Sequence, residues 1–289
     1  MDLRPSTRGA MHFGQWLAAS SQRDAGGAER IIGVHVLERE QLAPLFRFQA
    51  PKRVIEKTYE AVRKSLDSAG ALDLLDDIEV ELDPDGSDRL CRKVEEHQAD
   101  AVIVGREQKD SSAATVRLGP TAHRLLRAGR APVVVVPPNL TPIADPGPVI
   151  LATDFEDGSI AAAKFARRVA EAHGCTLRCC HVMADYAIFM AAHVPPGDID
   201  EVVADCRREA EARFGPWCES AGIDPQQVEL ETLAGDPVDG ISDCAIAART
   251  PMIVVGSQGK SALERFVVGS VALELATNAP CAVAVVPPR

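Results

Sequence analysis

The chain is written twice, and that duplication restricts its folds more than any other feature. Arg130-Ala-Pro-Val-Val-Val-Val-Pro-Pro138 returns as Cys281-Ala-Val-Ala-Val-Val-Pro-Pro288, and Ala101-Val-Ile-Val-Gly105 returns as Met252-Ile-Val-Val-Gly256. Ile32-Gly-Val-His-Val-Leu37 is echoed by Arg178-Cys-Cys-His-Val-Met183. The offset is about 150 residues, so each copy has the size of an ordinary domain. The Pro/Asn-rich stretch from Pro137 to Pro148 separates them. This predicts domains over residues 1–138 and 148–289, joined by a linker at 139–147.

Hydrophobic patterning in the second copy alternates between short apolar runs and helical periods. Val149 to Thr153 reads as a strand, and Ser159 to His173 as a helix with apolar residues at Ile160, Ala163, Phe165, Ala166, Val169 and Ala170. Thr176 to Met183 is a second strand, Ile199 to Ala221 a long charged helix, and Gln227 to Ala234 a third strand. Gly235-Asp236-Pro237 then opens a helix, with Asp236 as N-cap and Pro237 at the first helical position. Strand Met252 to Val255, helix Ser270 to Thr277 and strand Ala282 to Val286 complete the series. Strict alternation of this kind predicts an α/β fold: two tandem doubly wound domains, each a five-stranded parallel sheet with helices on both faces. Composition agrees. Aromatics are only 4% of the chain, so the core is built from Val, Ala, Leu and Ile, which suits parallel strands buried on both faces.

The first copy departs from the second. Aligning Ala10–Ala18 with Ala162–Ala170 sets Asp2 opposite Asp154, so the first strand of this domain would precede Met1. Either that strand is missing or the true start lies upstream. Gly105-Arg-Glu-Gln108 puts a glutamine where the second copy has a glycine, and Gly119 is followed by Pro120, which lacks an N–H. This half is not expected to bind a ligand in the manner of the other.

Net charge is −11, which argues against a nucleic-acid or anionic-membrane surface but not against one local phosphate site. No apolar run approaches the roughly 20 residues that span a bilayer, and the N-terminus lacks an apolar signal-peptide core. A cytoplasmic location is expected, with the eight cysteines as reduced thiols. Cys179, Cys180 and His181 are consecutive in a strand, so their side chains alternate between faces and cannot converge on one ion. No metal site is expected from this cluster.

The chemistry-bearing stretch is Gly256-Ser-Gln-Gly259, nine more residues, then Gly269-Ser270-Val271. It follows a strand and opens a helix. Glycines allow close backbone approach, and the N–H groups at a helix start point outward with the positive end of the dipole behind them. Strand, glycine loop and helix N-terminus is how α/β proteins cradle phosphate, at the carboxyl ends of strands where the strand order reverses. Gly259-Lys260-Ser261 invites comparison with a Walker A loop, but that motif needs a glycine where Val254 stands.

The three-glycine spacing, the Ala-Thr-Asp154 end of the first strand and the Val-rich terminal strand together resemble the universal stress protein family in its tandem-domain form. The resemblance is strong over residues 148–288 and weak in the first half. It implies an adenine nucleotide alpha hydrolase-like fold and ATP as ligand; phosphate chains usually arrive with Mg2+, and whether it is needed here stays open. By that resemblance Asp154 and Val182 hold the adenosine, and Ala152 and Thr153 line the pocket through their backbone. Val255 and Gly256 would abut the sugar, and Gly259, Gly269, Ser270 and Val271 would meet the phosphates. Lys260 would add a point charge, or face solvent. Asp154 has a second reading as a turn or N-cap residue of the helix near Ser159, and Gly256 and Gly259 as a strand end and a turn cap.

Catalytic residues are not expected, because no nucleophile, base and carboxylate are placed together by the sequence. His181 reads as a packing histidine, and Asp236 and Asp239 as capping groups. The apolar terminal runs Val133–Val136 and Val283–Val286 are candidates for edge pairing between the two domains or in a homodimer, as the family resemblance also implies. The leading reading is an ATP-dependent binding module; a slow ATPase and a ligand-free dimeric scaffold stay open beside it.

Overall fold

A computed structural model of the chain describes residues 7–21, 30–108, 116–183, 199–258 and 268–288. The chain divides into two compact units, Met1–Ile143 and Ala144–Arg289.

In the first unit the earliest described element is helix α1 (Thr7–Ser21), whose Phe13 and Trp16 are buried with ring centroids 5.3 Å apart. It is followed by β1 (Ile32–Glu38), the short α2 (Arg39–Leu42), α3 (Pro51–Ser68), β2 (Asp77–Asp83), α4 (Gly86–Glu96) and β3 (Val102–Gly105). Two-residue strands β4 (Glu107–Gln108) and β5 (Val116–Arg117) then precede α5 (Pro120–Ala128) and β6 (Val133–Val136). β1 pairs with β2 and β3 with β6, both in parallel, while β4 and β5 pair antiparallel. No strand precedes α1 among the described residues, so this unit shows two parallel pairs rather than five consecutive partners. The core beneath α3 gathers Val62, Leu66 and Ala71 against Met11, Ile78 and Val80. Apolar side chains at helical spacing on α3 thus cover alternate positions of β2.

Charges tie α4 to β2. Arg89 pairs with Glu81 and Glu96, and Lys93 reaches Glu79 at 2.7 Å and Glu81 at 2.6 Å. The Arg89 guanidinium holds the Glu81 carboxyl down to about 2; burial opposes this and Lys93 assists. Asp85 caps α4 by accepting the Ser87 and Asp88 N–H groups, each at 3.0 Å.

The second unit runs β7 (Val149–Ala152), α6 (Ile160–His173), β8 (Leu177–Met183), α7 (Ile199–Ala221), β9 (Val228–Ala234), α8 (Pro237–Ala248), β10 (Met252–Gly256), α9 (Ser270–Asn278) and β11 (Ala282–Val286). Its five strands are parallel and stand in the order β11-β10-β7-β8-β9. Helices α6 and α7 pack together, as do α8 and α9, which leaves one pair on each face. Every residue of β7, β10 and β11 is buried, as parallel strands covered on both faces require. Each such Val or Ile contributes about 1.5–3 kcal/mol on removal from water.

Local signals operate as the sequence predicts. Asp236 caps α8 through the Val238 and Asp239 N–H groups at 2.8 and 3.1 Å, with Pro237 at the first helical position. Gly147 donates its N–H to the Arg249 carbonyl at 3.1 Å, and a Cβ there would overlap the Ala248 carbonyl oxygen. The entry to this unit is therefore packed against the end of α8.

Candidate functional site

Strand order places the site. From β7 the chain moves to β8 on one side and later crosses to β10 on the other, so the order reverses at β7. A crevice outside the carboxyl ends of β7 and β10 is the expected ligand position in such a sheet. Register brings the predicted residues to it. Ala152 lies opposite Val255 on β10 and opposite Cys180 on β8, so Thr153, Asp154, Gly256 and Val182 all fall at the carboxyl edge.

The turn after β7 is held from within. The Thr153 hydroxyl lies 3.0 Å from the Ser159 hydroxyl and accepts the Phe155 N–H at 3.0 Å. The Thr153 N–H donates to the Cys180 carbonyl at 3.1 Å, and the Thr153 carbonyl lies 2.9 Å from His181 Nδ1. Thr153 is thus a buried fastener whose backbone continues the β7–β8 ladder.

Asp154 is a turn residue. Its Oδ1 accepts the Glu156 N–H at 3.1 Å, whereas a 3-10 turn, Asp157–Ser159, leads into α6. The alternative in which Asp154 caps this helix is therefore corrected: the helix begins at Ile160, beyond the reach of a cap at 154. Its Oδ2 makes no hydrogen bond among the described residues.

Phe155 has φ of 60°, a left-handed conformation uncommon for a bulky residue, and stacks on His181 at 4.3 Å and 22°. Trp217 and Phe214 on α7 pack around the same ring at 5.6 and 6.0 Å. Arg213 reaches Glu156 Oε1 at 3.0 Å and the Asp154 carbonyl at 3.4 Å. These residues escape a sequence reading because nothing in the local spelling signals a left-handed phenylalanine or its distant partners. His181 is buried and packs, as predicted.

The other wall is the glycine segment. A Cβ on Gly256 would stand 3.0 Å from the Gly158 carbonyl oxygen, and one on Gly158 would stand 3.1 Å from that of Gln258. The loops leaving β7 and β10 touch backbone to backbone, and a side chain at either glycine would need its neighbour to shift by a few tenths of an ångström. Ser257 donates its N–H to the Val286 carbonyl at 2.8 Å and accepts the Gly269 N–H at 2.8 Å, bringing the start of α9 beside the end of β10. Gly269 is the N-cap of α9 and supplies no side-chain cap; the first helical bond runs from the Leu273 N–H to the Gly269 carbonyl at 3.0 Å. Ser270 is exposed and Val271 half-buried. Among the described residues no side chain caps the N–H groups of the first turn, and such groups are the donor set an anion takes at a helix start. Gly259 and Lys260 lie outside the described residues. Val182 packs under α8, its Cγ2 3.9 Å from where a Gly240 Cβ would sit.

The first unit repeats the anchor and the glycine N-cap, but Pro120 removes one of the donors. Arg106 donates its N–H to the Val136 carbonyl at 2.8 Å, in the place of Ser257, but β4 and β5 then close the connection into a ladder, and α5 starts at Gly119-Pro120.

With this geometry in view, the chain can be placed among known proteins. The Universal stress protein family model matches residues 2–137 and again 147–287, and the chain belongs to that family, with two copies of its domain in tandem. Universal stress protein MJ0531 of Methanocaldococcus jannaschii is 30% identical over 143 residues, spanning 48% of this chain and 80% of that protein. A universal stress protein from Archaeoglobus fulgidus superposes with a TM-score of 0.66 at 18% identity, covering 99% of this chain and 95% of its own. A Pseudomonas aeruginosa structure described as a universal stress protein gives 0.57 at 16% identity, with 90% and 93% covered. These likenesses establish the fold. Among the described residues, no helix is long and apolar enough to cross a membrane.

Proposed function

We propose that the second unit binds an adenine nucleotide, with ATP as ligand, and that occupancy serves as a regulatory signal. The observation that carries the reading is the start of α9. An N-terminus without a side-chain cap lies at the switch point, next to the strand that delivers Asp154. In this reading Gly269, Ser270 and Val271 present amides and a hydroxyl to the phosphates, with Gly259 and Lys260 completing the loop. Asp154 accepts from the ribose or purine end through its carboxylate. Ala152, Thr153, Val182, Val255 and Gly256 form the backbone walls between them. Mg2+ would arrive on the triphosphate.

Two measurements test the proposal. Mass spectrometry of small molecules extracted from natively purified protein should identify an adenine nucleotide. Isothermal titration should show ATP binding that Asp154→Ala weakens; equal affinity in wild type and variant, or no heat with either, would overturn it. Light scattering with and without ATP reads whether occupancy changes self-association.

A further inference from the structure

Three side chains from three regular elements meet beneath α8, on residues that the nucleotide reading does not use. Cys180 on β8 and Glu231 on β9 are register partners, so both project from the same face of the sheet. Cys244 descends onto them from α8. The two sulfurs are 3.3 Å apart, and Cys244 Sγ is 3.2 Å from Glu231 Oε2. All three donor atoms lie within 4.8 Å of one another.

We propose that Cys180, Glu231 and Cys244 form a site for one borderline-soft divalent cation of the zinc type, with the fourth coordination position left to water. Geometry comes first. Zinc binds thiolate at about 2.3 Å and carboxylate at about 2.0–2.2 Å, which puts two sulfurs roughly 3.8 Å apart in a tetrahedron. The present 3.3 Å separation needs to open by only about 0.5 Å. The donors also stand on two strands and a helix, not on loops.

Charge is the second argument. Both cysteines are buried, and zinc takes cysteine ligands as thiolates, so binding has to displace their two protons. Arg178 is shared between Glu229 at 2.8 Å and Glu231 Oε2 at 3.3 Å, so one guanidinium faces two carboxylates. Exchanging two thiol protons for one dication therefore leaves the cluster's net charge unchanged, which a buried site requires. Access is the third. Cys180 and Cys244 are 1% and 7% exposed, but Glu231 keeps 37% of its side chain accessible on the last strand of the unit's order. Two thiolates exclude magnesium and calcium as preferred ions, and the carboxylate favours zinc over monovalent copper.

The test uses the full chain, reduced and stripped with a chelator, titrated with Co2+ and then Zn2+. One Co2+ per chain should produce a thiolate-to-metal charge-transfer band that Zn2+ displaces. About two protons should be released per ion, so affinity rises with pH. Cys180→Ser and Cys244→Ser should abolish the band, while Cys218→Ser, a buried thiol on α7, retains it. Since a serine in either buried position can cost folding, Glu231→Gln at a partly exposed position is the second variant. It should keep the circular dichroism spectrum and weaken Co2+ binding by about tenfold or more. The proposal is overturned by a wild type without the band, by a band that survives Cys180→Ser or Cys244→Ser, or by unchanged affinity in Glu231→Gln. A Cys180–Cys244 disulfide forming in place of metal uptake would overturn it as well.

Discussion

The connections from β3 to α5 and from β10 to α9 begin with the same hydrogen bond and end with different chemistry. Arg106 in the first unit and Ser257 in the second each donate to the carbonyl at the end of the neighbouring strand, Val136 or Val286, at 2.8 Å. Beyond that point the second unit reaches α9 through Gly269-Ser270, whereas the first forms the β4–β5 ladder and enters α5 through Gly119-Pro120. Position in the sheet and donor inventory are therefore separable. Duplication preserved the first, and the residues after the anchor decide the second.

Moving the first unit's spelling into the second should break the contrast most strongly. Ser270→Pro keeps an allowed first helical residue but removes an amide and a hydroxyl. Titration should show ATP affinity falling by about 2–3 kcal/mol, the scale of lost hydrogen bonds to a charged group. Unchanged affinity would mean that α9 does not face the phosphates. Gly256→Ala tests the loop contact itself. Its Cβ would press on the Gly158 carbonyl, and chemical denaturation should report a loss of about 1–3 kcal/mol in the second unit. Asp154→Ala should cost about 1–1.5 kcal/mol of ATP binding and little stability beyond its turn bond.

The smallest effect belongs to the first unit. Glu81 has a folded pKa of about 2 against an ordinary value of 4.5, so its contribution is complete above 4.5 and is lost as pH falls toward 2. Solvent screening of this partly exposed carboxylate reduces the contribution to about 1 kcal/mol. Hydrogen exchange in β2 and α4 should accelerate through that window in wild type. In Glu81→Gln it should already be faster at neutral pH and depend less on acid, while β8 and β9 serve as the internal reference.

Most of the scaffold was legible because its signals are local. Asp236-Pro237 announces a capped helix, the Val-rich runs announce buried strands, and the long helix spans Ile199–Ala221 as read. The contacts that shape the crevice are not local. The resemblance sets Gly256 against a ligand's sugar, and nothing in the local sequence signals that its near neighbour is also Gly158, on the turn after β7. Cys180 was read with Cys179 and His181, and the alternation of a strand does separate those three. Its real companion, Cys244, is 64 residues away and met only when α8 folds over β8. The β4–β5 ladder was missed for a different reason: two-residue strands carry no periodicity to detect.

Gly147 sets a practical rule for anyone who separates the halves. A truncated product beginning at Pro148 would discard the N–H received by Arg249, and a cloning scar that replaced the glycine would collide with the tail of α8. Expression boundaries for the second unit belong upstream of that residue, so that a failed refolding is not mistaken for dependence on the other half.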